Sequence, residues 1–207
     1  MTSLIHSINA RYGTYRGYIR LALARLSAKT GRIDSYLHFE PASIQRLVFV
    51  CLGNINRSAY AEAYTRHRSH FPTCSIGLST TTGAPATDLA IQKAADRFID
   101  LTSHKATNIS DFEQQEGDLF LVMEIRHANI LRERYGQDAR ILLLGSLPKR
   151  RYVHIHDPHT LSSDYYTSCL NRIEESTRAL LSVLDAQKET QQQASKEQRQ
   201  DTSTTHA

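Results

Sequence analysis

One stretch of the chain combines residue types and a spacing that suit phosphate chemistry. The apolar run Leu47 to Val50 ends at Cys51, five residues separate this cysteine from Arg57, and Ser58 follows directly. The thiolate is the reactive form of cysteine, and a neighbouring guanidinium favours that anion. A guanidinium also holds two phosphate oxygens at once, which a lysine does not do. The stretch therefore predicts a phosphate-binding loop with a cysteine nucleophile at its base.

The residues around Cys51 predict a strand, a turn and a helix that would build this loop. A short, continuously apolar run is typical of a buried strand, here 47–51, and residues 58–67 favour a helix. Gly53 and Asn54 both tolerate positive φ, so the chain can turn between the two elements. The loop amides and the helix N-terminus would then point at one anion. Ser58 would donate a hydrogen bond to the sulfur, which would attack phosphorus and form a cysteinyl-phosphate.

The segment VCLGNINRS, residues 50–58, resembles the active-site loop of the low-molecular-weight protein tyrosine phosphatases, whose pattern is V-C-x-G-N-x-C-R-S. A lone cysteine at a strand end would fit a small buried hydrophobe. Further matches to the family follow in order over roughly residues 46–185: 75–77 (SIG), 103–106 (SHKA), 118–124 (DLFLVME), 143–145 (LLG) and 157–158 (DP). The resemblance predicts a cysteine-dependent phosphomonoesterase that acts on phosphotyrosine in proteins, with a tyrosine kinase as its counterpart.

The resemblance also assigns roles to individual residues. Asp157 would protonate the leaving oxygen and then activate water as a base, although an Asp-Pro pair by itself favours a turn. Phosphate would be bound by Arg57 and by the loop residues Leu52, Gly53, Asn54, Ile55, Asn56 and Ser58. Supporting positions would be Ser75, His104 and His159, where His104 alone would fit a surface histidine. No metal and no cofactor is needed for this chemistry.

The sequence departs from the family pattern at two places. Asn56 stands where the family commonly has a second cysteine, so a sulfenic acid at Cys51 would have no adjacent resolving thiol. We predict poor recovery from peroxide, and full thiol-reversible recovery in a chain lacking Cys74 and Cys169 would contradict this. His159 replaces the usual tyrosine after Asp-Pro, and residues 78–83 hold no aromatic side chain. Two alternatives stay open: an arsenate reductase, a class similar in fold and loop, and a catalytically silent phosphate-binding module, which the missing aromatic side chains allow.

The order of the predicted elements indicates the fold. Strands are expected at 47–51, 73–76, 119–123 and 140–144, and helices at 58–67, 87–100, 127–135 and 164–184. Such alternation predicts an α/β fold with a four-stranded parallel sheet and helices on both faces, with the ligand beyond the carboxyl end of a central strand. The catalytic domain would span 45–186.

The composition limits the other functions. The net charge of +4 is mild, and no nucleic-acid-binding motif is present. Three cysteines make no disulfide framework and suit a reducing, cytoplasmic location, with Cys74 and Cys169 expected in the core. The histidines of 154–159 (HIHDPH) match no standard zinc spacing, so substrate-loop histidines are favoured over a metal site.

Two flanking segments lie outside the resemblance. Within residues 1–44, six lysine and arginine residues precede Asp34, which is the first acidic residue. In the same segment, apolar side chains recur at helical spacing at Tyr15, Ile19, Ala22 and Leu26. This pattern favours an extra helix docked on the catalytic domain, and a helix on a membrane surface or partner, or a cleaved presequence, stay as alternatives. Residues 187–207 are almost free of apolar side chains and are predicted to be disordered.

Overall fold

The computed structural model describes residues 2–148 and 151–204, with side chains for 6–148 and 151–194. The four strands are β1 (Arg46–Cys51), β2 (Thr73–Gly77), β3 (Asp118–Val122) and β4 (Arg140–Leu143). The six α-helices of the described part are α1 (Thr2–Tyr12), α2 (Tyr15–Lys29), α3 (Arg57–Arg68), α4 (Asp88–Ala95), α5 (Ile125–Tyr135) and α6 (Ser163–Thr204).

The strands form one parallel sheet, as the sequence predicted, and the structure shows their order to be β2-β1-β3-β4. Cys51 ends β1 and lies opposite Gly77 of β2, while Val50 pairs with Val122 of β3. After β1 the chain forms β2 on one side of it and later forms β3 on the other side, so a crevice opens beyond Cys51. Ligands of open α/β sheets bind at such a point.

Alternate residues of β1 enter two separate cores. Leu47, Phe49 and Cys51 pack with α3, α4 and α6 on one face. Val48 and Val50 face the other way, into a core that includes residues of α5 and Ala24 of α2. Each face of the sheet is therefore covered by helices, and the predicted fold class is confirmed.

The N-terminal helices dock on the catalytic part through a face that the sequence pattern did not indicate. Gly17, Leu21 and Ala24 of α2 are buried. Tyr15 and Leu26, which belong to the predicted apolar stripe, are 65% and 57% exposed. The helix carries apolar residues on two opposite faces, and the face with the small residues approaches the catalytic part more closely.

Two helix ends differ from the sequence prediction. The helix expected to reach residue 100 ends at Ala95, because Phe98 adopts φ of 61° and the Ile99 N–H turns back to the Ala94 carbonyl. The segment 187–207, predicted to be disordered, continues α6 through Thr204. Glutamine, glutamate, lysine and alanine are strong helix formers, and neither glycine nor proline interrupts them. Within the described ranges, no helix is long and apolar enough to span a membrane.

Candidate active site

The sulfur of Cys51 lies at the base of the loop and receives two hydrogen bonds. Its Sγ is 3.0 Å from Ser58 Oγ and 3.3 Å from the Asn54 backbone nitrogen. Ser58 Oγ itself accepts a bond from Asn54 Nδ2 at 2.9 Å, so its own proton points to the sulfur at 3.0 Å or to the more distant Ile76 carbonyl at 3.5 Å. Together the two hydrogen bonds to the sulfur fix its position at the base of the loop.

The loop carbonyls point away from the sulfur. Those of Cys51, Leu52 and Ile55 accept bonds from backbone amides outside the loop, at 3.0, 2.8 and 3.2 Å. The Asn54 carbonyl lies 2.7 Å from His104 Nε2. Because the N–H of a peptide points opposite to its C=O, the loop amides face the sulfur side. With the N-terminus of α3 they form a concavity that suits an anion.

Asn54 is the residue that fixes the shape of the loop. It is fully buried and adopts φ of 52°, whereas Gly53 does not use the positive-φ freedom that the sequence offered. Besides Ser58, its amide group donates to Ser75 Oγ at 2.7 Å and accepts from the Thr107 N–H at 2.8 Å. One side chain thus joins the loop to β2 and to the segment after His104.

Arg57 lies buried beneath the loop between two carboxylates. Its guanidinium is 2.6 Å from Glu124 and, through the other terminal nitrogen, 2.6 Å from Asp157. It also donates to the Ile155 carbonyl at 3.0 Å. Burial would lower the pKa of Arg57, but the negative charges of Asp157, Cys51 and Glu124 outweigh it and hold the pKa above its usual value. The arginine is therefore charged and oriented before any ligand enters.

Asp157 follows a segment that is tied to the sheet. The Ile155 N–H donates to the carbonyl of Met123, just beyond β3, at 2.9 Å. The Asp157 side chain is 27% exposed, and its Oδ1 accepts the His159 N–H at 3.2 Å. Asp157 therefore stabilises the turn that the Asp-Pro pair predicted, and it is also the residue predicted to be the acid. Its carboxylate is partly exposed to solvent and contacts Arg57. The ring of His159 is exposed.

Asn56 anchors the loop instead of offering a thiol. Its buried Oδ1 accepts bonds from Thr87 Oγ1 at 2.6 Å and Tyr166 OH at 2.9 Å. Tyr165 donates to the His156 carbonyl at 2.9 Å and is buried as well. Both tyrosines therefore brace the site from inside and provide no exposed wall for a substrate ring. The rim of the loop is formed by half-buried Leu52, Gly53 and Ile55.

The sequence analysis missed Glu124, the buried partner of Arg57. Its position two residues beyond β3, next to the strand that ends in Cys51, was a signal that could have revealed it. Burial would raise the pKa of Glu124, but the guanidinium of Arg57 holds it well below its usual value. Burial in turn lowers the pKa of His127 to about 3 and that of His154 to about 4. This carboxylate is therefore charged among neutral imidazoles.

The remaining cysteines and histidines show no second reactive centre. Burial raises the pKa of the Cys74 thiol to about 11 and that of Cys169 to about 12, so both stay protonated. His154 and His156 stack on each other with ring centroids 5.8 Å apart. In the part of the chain that the structure describes, no three histidine, cysteine or acidic side chains are grouped to hold a metal ion.

Comparison with known proteins agrees with this geometry. The sequence model of the low molecular weight phosphotyrosine protein phosphatase family matches residues 46–192. The chain belongs to this family. It is thus a cysteine-based phosphatase, and its Cys51 lies in the loop described above; neither an arsenate reductase nor a silent binding module is favoured.

Three relatives illustrate the range of the family. The chain is 31% identical over 143 residues to the low molecular weight protein-tyrosine-phosphatase Wzb of Escherichia coli K12, covering 68% of this chain and 96% of that protein. The crystal structure of Wzb from E. coli K30 with sulphate superposes with a TM-score of 0.60 at 26% identity, covering 68% of this chain and 99% of that one. A protein-arginine-phosphatase of Bacillus subtilis is 26% identical over 144 residues, covering 67% and 95%.

Proposed function

We propose that the protein hydrolyses phosphotyrosine in proteins, with Cys51 as nucleophile and Asp157 as acid and base. The observation that carries this proposal is the convergence of the Cys51 sulfur, the loop amides, Arg57 and Asp157 at the end of β1. The thiolate attacks phosphorus in line with the tyrosyl oxygen, and the P–O bond breaks as Asp157 gives its proton to that oxygen. Asp157 then takes a proton from the water that attacks the phosphocysteine, which releases inorganic phosphate and restores the thiolate.

Arg57 serves this reaction by exchanging one partner and keeping the other. An entering phosphate offers oxygens that replace Asp157 on the guanidinium, while Glu124 at 2.6 Å keeps the side chain in place. The released carboxylate is then free to take up the proton that it later donates. Two nitrogens of the guanidinium neutralise charge on the transferring phosphoryl group.

The substrate class rests on the relatives and on the rim of the loop. Members named Wzb and EpsP are protein-tyrosine-phosphatases. Leu52 and Ile55 place apolar side chains at the rim, which suits an aromatic ring better than a charged side chain. Because the B. subtilis relative is named a protein-arginine-phosphatase, phosphoarginine is the alternative substrate to compare with phosphotyrosine.

The surroundings of the catalytic part are proposed as follows. Residues 45–186 form the catalytic domain, supported by the family match over 46–192. Its three cysteines are free, which supports a reducing cytoplasmic location, and the substrate is a protein phosphorylated by a tyrosine kinase. The segment 1–44 contacts an anionic membrane surface, because the outward apolar side of α2 is flanked by exposed Arg16, Arg20, Arg25 and Lys29.

Hydrolysis of p-nitrophenyl phosphate in EDTA tests the chemistry. The wild-type protein should turn over, Cys51→Ser should be inactive, and Asp157→Asn should be slowed at least tenfold. Activity in Cys51→Ser, or an inactive wild type that still binds vanadate, would contradict the mechanism. Peptides carrying phosphotyrosine, phosphoserine or phosphoarginine then test the substrate class, and a higher kcat/KM for phosphoarginine would overturn the choice of tyrosine.

A further inference from the structure

The two N-terminal helices lie outside the family match, yet they touch the segment that carries Asp157. Residues 2–29, here called the N-terminal hairpin, precede the matched range 46–192. The hairpin is fastened to α6, where Ser168 Oγ donates to the Ala10 carbonyl at 2.8 Å and Arg172 donates to the Arg11 carbonyl. These contacts hold its turn above the residues that lead into the candidate acid.

The turn of the hairpin approaches His156 so closely that only glycine fits. A Cβ atom built on Gly13 would lie 2.8 Å from Leu161 Cδ1 and 2.9 Å from His156 Cδ2. A Cβ atom built on Gly17 would clash with the Tyr12 carbonyl oxygen and lie 2.9 Å from the same His156 atom. Real Cβ atoms essentially never come within 3.0 Å of another heavy atom. Gly13 also needs its φ of 79° to make the turn. Gly17 is required both by the Tyr12 carbonyl within the hairpin and by the contact with His156, so the closed turn and its seat on His156 form together.

The imidazole of His156 is therefore held between the hairpin and the catalytic domain. The ring of His154 stacks against it with ring centroids 5.8 Å apart, and the ring centroid of Tyr165 is 6.1 Å away. Its carbonyl accepts the Tyr165 hydroxyl at 2.9 Å. Asp157 is the next residue in the chain, so a displacement of His156 moves the carboxylate with it.

We propose that the N-terminal hairpin, through Gly17 and His156, is a positioning element for Asp157. The proposal rests on the role proposed above for Asp157. Proton donation to a leaving group depends on a separation fixed within a few tenths of an ångström, and a misplacement of about 1 Å costs on the order of 10²-fold in rate. The nucleophile is held separately by Asn54 and Ser58, and it does not depend on the hairpin.

The test compares two substrates that differ in their need for a general acid. Phenyl phosphate has a poor leaving group and needs the proton, whereas p-nitrophenyl phosphate needs it less. We expect Gly17→Leu and His156→Ala to lower kcat/KM about tenfold for phenyl phosphate and less than threefold for p-nitrophenyl phosphate. Alkylation of Cys51 by iodoacetamide should keep its wild-type rate, since the thiolate is untouched. Leu23→Ser, on the exposed side of the same helix, is the matched control and should leave both substrates unchanged.

Asp157→Asn separates failure of this proposal from failure of the proposed function. If Asp157→Asn shows no difference between the two substrates, the role of Asp157 itself is wrong. If Asp157→Asn shows the difference but neither Gly17→Leu nor His156→Ala does, the positioning proposal is wrong. An equal loss on both substrates with slowed alkylation would also overturn it, because it would indicate a general structural defect. His156→Ala only removes atoms, so it keeps the test valid if Gly17→Leu does not fold.

Discussion

The catalytic loop and the N-terminal hairpin are attached to the same domain by different means. The loop is fixed by polar groups that are close in sequence or on the adjacent strand, with Asn54 bonded to Ser58 and Ser75. The hairpin is fixed by bonds from Ser168 and Arg172 to two of its backbone carbonyls and by close packing of Gly13 and Gly17 on His156. A polar network tolerates little change at any member, whereas a packed surface tolerates change on its free side. Substitutions should therefore cost most in the loop and least on the outer face of α2.

Among substitutions that leave Cys51 in place, the largest effect is expected for Arg57→Lys. An ammonium group is a single point charge and cannot contact Glu124 and two phosphate oxygens with planar geometry. We expect kcat/KM for p-nitrophenyl phosphate to fall about 10²- to 10³-fold. Arg126→Lys is the matched control, because Arg126 lies 2.9 Å from the same carboxylate but is 46% exposed, and its activity should stay within threefold. Full activity of Arg57→Lys would remove this arginine from the mechanism.

A smaller loss is expected when Asn54 is replaced, and two variants separate its roles. Asn54→Ala removes the bonds to Ser58 and Ser75 and also places alanine at φ of 52°. Asn54→Gly removes the same bonds without that backbone cost. We expect both to lose about tenfold in kcat/KM, and alanine to unfold with about 1 kcal/mol less free energy than glycine. Wild-type kcat/KM in Asn54→Gly would show that the backbone conformation alone shapes the loop.

The same contrast explains what could be predicted from the sequence. The strand, the turn and Cys51 at its end follow from local patterns, because apolar runs and glycine or asparagine turns act over a few residues. The parallel sheet with helices on both faces follows from the alternation of strands and helices. These features need no knowledge of distant contacts.

Features that depend on how helices rotate against each other could not be predicted. Tyr165 and Tyr166 are neighbours on α6, and only the packed structure shows that both point inward, to His156 and Asn56. The docking face of α2 is similar, since both of its sides carry apolar residues. The pairing of Glu124 with Arg57 lies between these two cases in how far it could be predicted. Once the strand order is known the two residues must be near each other, but the sequence alone does not show the ion pair.

Stability should fall on acidification because of buried groups behind the loop. His127 and His154 have folded-state pKa values of about 3 and about 4, below the ordinary 6.5. The unfolded chain therefore binds more protons below pH 6.5, and the free energy of unfolding falls as the pH falls from 6.5 toward 4. The lowered pKa of Glu124 acts in the same direction below pH 4.5.

Urea unfolding of wild type and His154→Gln between pH 7 and pH 4.5 measures this effect. Wild type should lose on the order of 2 kcal/mol for each buried histidine, and His154→Gln should lose less over the same interval. His6→Gln is the control, because the His6 side chain is 76% exposed, and its pH dependence should match wild type. An identical slope in His154→Gln would show that this imidazole is not held neutral by the fold.

The smallest effect on catalysis is expected on the outward face of α2, where binding to a surface should change instead. Tyr15, Ile19, Leu23 and Leu26 are exposed there, and no acidic residue precedes Asp34. A second copy of this face would bring cationic flanks together, whereas an anionic bilayer accepts both the apolar side and the charges.

Wild type should sediment with vesicles that contain phosphatidylglycerol and not with pure phosphatidylcholine. Leu23→Ser should weaken vesicle binding about tenfold, because it removes one leucine side chain that would enter the bilayer, and it should leave kcat unchanged. Ile130→Ser on α5, 40% exposed, is the control and should bind like wild type. Absence of vesicle binding at low salt would contradict the membrane proposal, and a dimer that Leu23→Ser dissociates would assign the face to a second copy.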